Sequence, residues 1–172
     1  MSNYQRSTRE CTPDQLRPEL RQALNEYFTT HNLGDLDAEN LLCCETTSIK
    51  NKNGWLSALL ESWLGTVEAP VIYSAILLTA QTLVWARSGN GPTLATGANL
   101  MNIRARIFTS MLDRDSGLEV SGAIDDSKGL LRGYIGLGPE PASQKLCEEV
   151  IQAIQKVNPA STRKFPTWMG GR

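Results

Sequence analysis

Few residues in this chain can do covalent chemistry. There are four cysteines, Cys11, Cys43, Cys44 and Cys147, and a single histidine, His31. A cysteine nucleophile needs a nearby base and a depressed pKa. For Cys43-Cys44-Glu45 the one imidazole is His31, which ends the helical pattern in "TTHNLG". A cysteine in the middle of a strand is more often a small core residue. No two cysteines stand in C-x-x-C spacing, so neither a zinc site nor a redox motif is expected, and the adjacent Cys43-Cys44 suits no ordinary disulfide. Gly136-Leu137-Gly138-Pro139 resembles a nucleotide loop only in part. It lacks the third glycine, and Pro139 and Pro141 remove amide donors that a phosphate needs, so it reads as a strand-to-helix connection. The acid pairs Asp125-Asp126 and Glu148-Glu149 are adjacent in sequence and diverge on any regular element, which leaves a turn and a helix face. The expectation is a protein that is not an enzyme and carries no cofactor or metal.

Charge and aromatic residues offer binding chemistry instead. Lys50 and Lys52, together with Arg104 and Arg106, are the cations that could meet an anionic lipid surface. Trp55, Leu59 and Trp63 recur at helical steps in "GWLSALLESWLG", and Trp is enriched where partners bind. That segment has an interfacial-helix look, but it lacks the flanking Lys and Arg such helices carry, and Glu61 sits on its polar side. The tail "TRKFPTWMGGR" adds Phe165 and Trp168 in a basic setting, as a docking segment would. With Lys and Arg at 17, Asp and Glu at 18 and a net charge of -1, bulk charge supports no nucleic-acid partner. No basic-then-apolar leader opens the chain and no run reaches the length of a membrane span, so a soluble, cytoplasmic protein with reduced thiols is expected.

The elements that hold these residues follow from periodicity. Residues 1–15 are polar and read as loose. Leu16, Leu20, Ala23, Leu24, Tyr27 and Phe28 step by three and four, which predicts a helix to about Thr30 with Pro18 in its first turn and Gly34 just beyond. A strand is expected from Asn40 to Lys50, with Leu41, Cys43, Glu45, Thr47 and Ile49 on one face. The most apolar stretch, "VIYSAILLTAQTLVWARSGNG", is broken by Ser74, Thr79, Gln81 and Thr82 and is rich in β-branched and aromatic residues. It predicts two strands joined at "AQT" rather than a helix. "TLATGANLMNIRARIFTS" predicts one or two more strands, and "GLEVSGAIDDSKGLLRGYIGLG" a hairpin. Leu146, Cys147, Val150, Ile151, Ile154 and Val157 form the apolar stripe of a final helix that Asn158-Pro159 stops.

This order, a strand ending in Thr79, a tight turn, the aliphatic-aromatic Leu83-Val84-Trp85, the polar "SGNG", then "ANLMNIRARI", the "DDSKG" hairpin and "SQKLCEEVIQAIQKV", resembles the pleckstrin-homology-like superfold, including its GRAM and bacterial members. The resemblance runs from about Asp35 to Asn158; the segment at Trp55 to Leu64 departs from the pattern and would be an insertion. It implies a mainly β fold: an antiparallel barrel or sandwich with a C-terminal capping helix and an N-terminal helical extension. The units would be residues 1–34 as the extension, 35–158 as the domain and 159–172 as a flexible basic, aromatic tail. It also implies a module that binds a protein or peptide, or associates with itself, without catalysis. Peripheral lipid binding is the second reading, although the Arg-x-Arg at Arg104–Arg106 lies later in the chain than in lipid-binding members. A small-ligand barrel or small enzyme using Cys43, Cys44 or His31 is the third.

Overall fold

A computed structural model describes residues 4–37, 41–50, 70–109, 116–124 and 131–159 of the 172-residue chain. In order these form β1 (Tyr4–Glu10), α1 (Pro18–Thr30), β2 (Leu42–Lys50), β3 (Val71–Leu78), β4 (Thr82–Ser88), β5 (Leu94–Asn99), β6 (Ile103–Thr109), β7 (Ser116–Gly122), β8 (Leu131–Gly136) and α2 (Pro141–Val157). All strand pairs among the described residues are antiparallel. They make a five-stranded sheet in the order β1-β2-β3-β4-β5 and a three-stranded sheet in the order β6-β7-β8.

The five-stranded sheet is buried on both faces. Cys43, Ala75, Leu77, Val84 and Ala86 project to one side and pack with Leu20, Leu24 and Phe28 of α1. Cys44, Ile76, Leu78, Leu83 and Ala98 project to the other, into a cluster with Ile103, Leu118, Val120 and Ile135 of the second sheet and Leu146, Cys147, Val150 and Ile154 of α2. Alternate residues on each strand thus serve separate cores, which is why β3 and β4 read as nearly continuous apolar runs.

The hairpin expected around Thr79 is present, and Thr79 builds its turn. Its amide donates to the Thr82 carbonyl (2.9 Å), and its hydroxyl oxygen accepts from the amides of Gln81 (3.2 Å) and Thr82 (2.9 Å). A hydroxyl therefore replaces the Asn-Gly signal that such turns often carry. Both helices also follow their predicted stripes. α1 ends in a Schellman motif, where Leu33 N–H donates to Phe28 O (3.0 Å) and Asn32 sits at φ 52°. Asn32, rather than Gly34, takes the left-handed position next to the helix.

One expectation is overturned. Residues 4–10 are not loose but form β1, the edge strand paired along β2 from Tyr4↔Lys50 to Glu10↔Cys44. Its side chains are polar on both faces, so hydrophobic periodicity could not reveal it. Hydrogen bonds hold it instead. The buried Thr8 and Thr46 hydroxyls meet at 2.8 Å, Gly138 N–H donates to Thr8 Oγ1 (2.8 Å), and Thr8 N–H donates to Glu140 Oε2 (2.8 Å). The strand-to-helix connection read at Gly136–Pro139 thereby covers the β1 edge, as exposed sheet edges require.

On the α1 side the buried Glu45 accepts from Arg9 (3.2 Å) and from the Arg17 backbone N–H (3.3 Å), and pairs with the Arg17 guanidinium (3.5 Å). These bonds fix where α1 starts relative to the sheet. The Arg17 guanidinium also lies 3.5 Å from the centre of the Tyr73 ring, a cation–π contact that adds to the same anchoring.

Candidate functional site

The inner face of the five-stranded sheet changes character along its strands. At one end Leu42, Leu78, Leu83 and Ala98 are cross-strand neighbours. Two rows further on, the neighbours are Thr8, Thr46, Ser74 and Arg87, and beyond these come Arg6 and Ser48. The second sheet and α2 cover the apolar rows. Where the polar rows emerge, a cleft of about 520 Å³ opens between them and β8.

Arg6 and Arg87 line this cleft, with Tyr4, Ser48, Ser74 and Tyr134 among the hydroxyl groups around them. Arg6 stands on β1 and Arg87 on β4, three strand spacings or roughly 14 Å apart along the sheet. The Arg6 guanidinium lies 5.7 Å from the Tyr4 ring centre and 5.8 Å from that of Tyr134. Burial draws it below the ordinary arginine value and the like charge of Arg87 adds to that, yet it stays cationic at neutral pH. Tyr134 is itself held by a 2.9 Å bond to the Ser116 carbonyl and an edge contact with Phe108, and burial pushes its phenol up, so it remains neutral. Gly136 makes room for Arg6: a Cβ there would strike Nε of Arg6 and stand 2.7 Å from Cζ.

Beside the apolar Ile72, Trp85, Pro92 and Leu94, the described lining offers cations, hydroxyls and the Gly89–Gly91 backbone, with no carboxylate, imidazole or thiol. Such a surface can neutralise and orient an anionic group through charge-assisted hydrogen bonds.

The sequence-derived candidates fall elsewhere. Arg104 and Arg106 project from β6 in the second sheet, and Arg106 is bonded to Glu119 at 2.7 Å. Lys50 closes β2 in the other sheet. Lys52, Trp55, Leu59, Trp63, Phe165 and Trp168, and the helix expected at Trp55 to Leu64, lie outside the described residues. His31 is exposed at the end of α1, stacked on Tyr27 at 3.9 Å. All four cysteines are buried; burial pushes Cys44 up to about 12 and Cys147 to about 11, far from a reactive thiolate.

Sequence reasoning missed Tyr4, Arg6, Arg87 and Tyr134. One signal was available. Leu83 and Trp85 share a face of β4, and the same alternation carries Arg87 onto it just before the "SGNG" turn.

Among the described residues no group of three His, Cys, Asp or Glu could hold a metal ion, and no helix is long and apolar enough to cross a membrane. No protein-family model, curated protein or solved structure matches the chain.

Proposed function

We propose that the chain is a non-catalytic binding module of pleckstrin-homology-like plan, which recognises an acidic segment of a protein or peptide partner in the Arg6–Arg87 cleft. The plan is supported by the element order: β2 to β5 as four consecutive strands, β6 to β8 as three more, then α2 packed on the core, with β1 and α1 added in front. In this reading the two sheets close as a sandwich and α2 caps one open side. The observation that carries the binding role is the cleft itself, which brings Arg6 and Arg87 to one lining in a chain whose net charge is -1. Self-association through the aromatic segment at Trp55, Leu59 and Trp63 or the tail at Phe165 and Trp168 belongs to the same reading.

Calorimetric titration of hexaglutamate into the protein tests it, with hexalysine as control. Binding is expected for the acidic peptide alone and weakens as salt is raised. A charge-assisted hydrogen bond contributes about 1.5–3 kcal/mol, so Arg87→Ala is expected to lower affinity roughly 10- to 150-fold in a protein whose circular dichroism is unchanged. Gly136→Ala, which displaces the Arg6 side chain without removing its charge, should weaken binding in the same direction. Equal affinity in the folded Arg87→Ala protein would remove the cleft from the account. Binding to vesicles of anionic lipid with none to hexaglutamate would favour the membrane-surface reading instead.

A further inference from the structure

Cys11 and Cys43 are brought together by strand pairing and take no part in the cleft. The Cys11 amide donates to the Cys43 carbonyl at 3.0 Å, which extends the β1–β2 ladder one position beyond Glu10↔Cys44. Residues joined in this way in an antiparallel pair have Cα atoms about 5.5 Å apart, inside the window a disulfide accepts. The two sulfurs lie 3.7 Å apart in a thiol–thiol hydrogen bond. Cys43 is fully buried and Cys11 is 9% exposed, so one sulfur is closed off and the other stands at the edge of the core. Cys44 points to the opposite face, toward the Ala142 carbonyl, and Cys147 belongs to that same far core.

We propose that Cys11 and Cys43 form a hydroperoxide-sensitive dithiol, which closes to a disulfide and clamps the end of β1 onto β2. The hydrogen bond from Cys43 draws the Cys11 thiol down and Arg9 assists, while Cys43 is pushed up, first by that bond and then by burial. Cys11 is therefore the attacking sulfur. Its thiolate attacks one oxygen of the hydroperoxide and the O–O bond breaks. The other oxygen leaves as alkoxide and takes a proton to become the alcohol, and Cys11 becomes a sulfenic acid. That acid is neutral, so the thiolate charge and hydrogen bond that kept Cys43 protonated are gone. Cys43 gives up its proton and attacks Sγ of Cys11; the S–O bond breaks, and the departing hydroxide with that proton is released as water. Two thiols lose two electrons and the peroxide gains them. A small dithiol reductant reverses the step by exchange. The clamp acts on the strand that carries Arg6, but it rests on the thiol geometry alone and stands whether or not the cleft binds an acid.

The test uses the full chain treated with hydrogen peroxide, then denatured and alkylated with iodoacetamide. The oxidised protein is expected to be about 2 Da lighter than the reduced form. It should take up two alkyl groups where the reduced chain, with four cysteines, takes four. Cys11→Ser and Cys43→Ala should each abolish the mass loss, whereas Cys44→Ala should retain it, which assigns the bridge between the vicinal pair. The disulfide closes a 32-residue separation, so its thermal midpoint should rise and fall back with dithiothreitol. If Cys43→Ala does not fold, Cys11→Ser at the end of the strand decides the matter. Four alkylatable thiols after peroxide, a mass loss that survives in Cys11→Ser, or addition of oxygen without loss of hydrogen would each overturn the proposal.

Discussion

Phe28→Ala is expected to lower the unfolding free energy by about 3–5 kcal/mol, the range for truncating a buried phenylalanine without refilling its site. Phe28 is the largest fully buried side chain among the described residues and is 1% exposed. It packs with Leu20 and Leu24 onto Leu77, Val84 and Ala86, so the hole it leaves is walled by the sheet on one side and the helix on the other. Rigid strands flanked by a second core can collapse little into such a hole, which places the cost toward the top of the range. Urea unfolding measures it, with the slope unchanged if the protein remains one cooperative unit. A cost under about 1 kcal/mol, or a separate early transition, would show α1 coming away on its own, as a helical extension at residues 1–34 would.

Gly122→Ala is the second, with an expected loss of about 2–5 kcal/mol. Gly122 ends β7 at φ +143°, a conformation that L side chains rarely adopt. Space forbids the change as well: a Cβ would strike the Asn102 carbonyl oxygen and stand 2.8 Å from Cα of Ile103, the residue paired with Gly122 across the ladder. Those are backbone atoms, so relief requires β6 and β7 to separate where Ile103 enters the core between the sheets. Gly91→Ala is the control. Nothing lies within 4 Å of its Cβ position, and the change there is expected to fall within about 0.5 kcal/mol of neutral. The same urea curves compare the two, and a Gly122→Ala protein as stable as Gly91→Ala would refute the account of that corner.

These two positions also show how the sequence can and cannot be read. Phe28 was legible, because its place in a run of steps of three and four announces a helix face whatever the face packs against. The demands on Gly122 were not, since they come from Asn102 and Ile103 on another strand. β1 was missed for a related reason. Tyr4, Arg6, Thr8 and Glu10 alternate regularly but polar against polar, and the partners that satisfy Thr8 are Thr46, Gly138 and Glu140, far along the chain. The cleft is hidden from the sequence for the same reason. Residue type singles out Lys50, Lys52, Arg104 and Arg106, whereas Arg6 and Arg87 are set on one face by the registers of β1 with β2, β2 with β3 and β3 with β4.

By itself, then, the sequence determined which segments form α1, α2, the β3–β4 hairpin and the β7–β8 pair, and which side chains of the two helices turn inward. Those features are local, since they follow from a period of 3.6 or 2 and from turn chemistry within a few residues. Only the tertiary structure decided that the five-stranded sheet has two buried faces, that Arg6 and Arg87 share a cleft, and that Cys11 meets Cys43. Each of these depends on strand register between distant segments. A shift of one residue would turn every one of those side chains to the opposite face, and register is settled by the sum of pairings across the whole sheet.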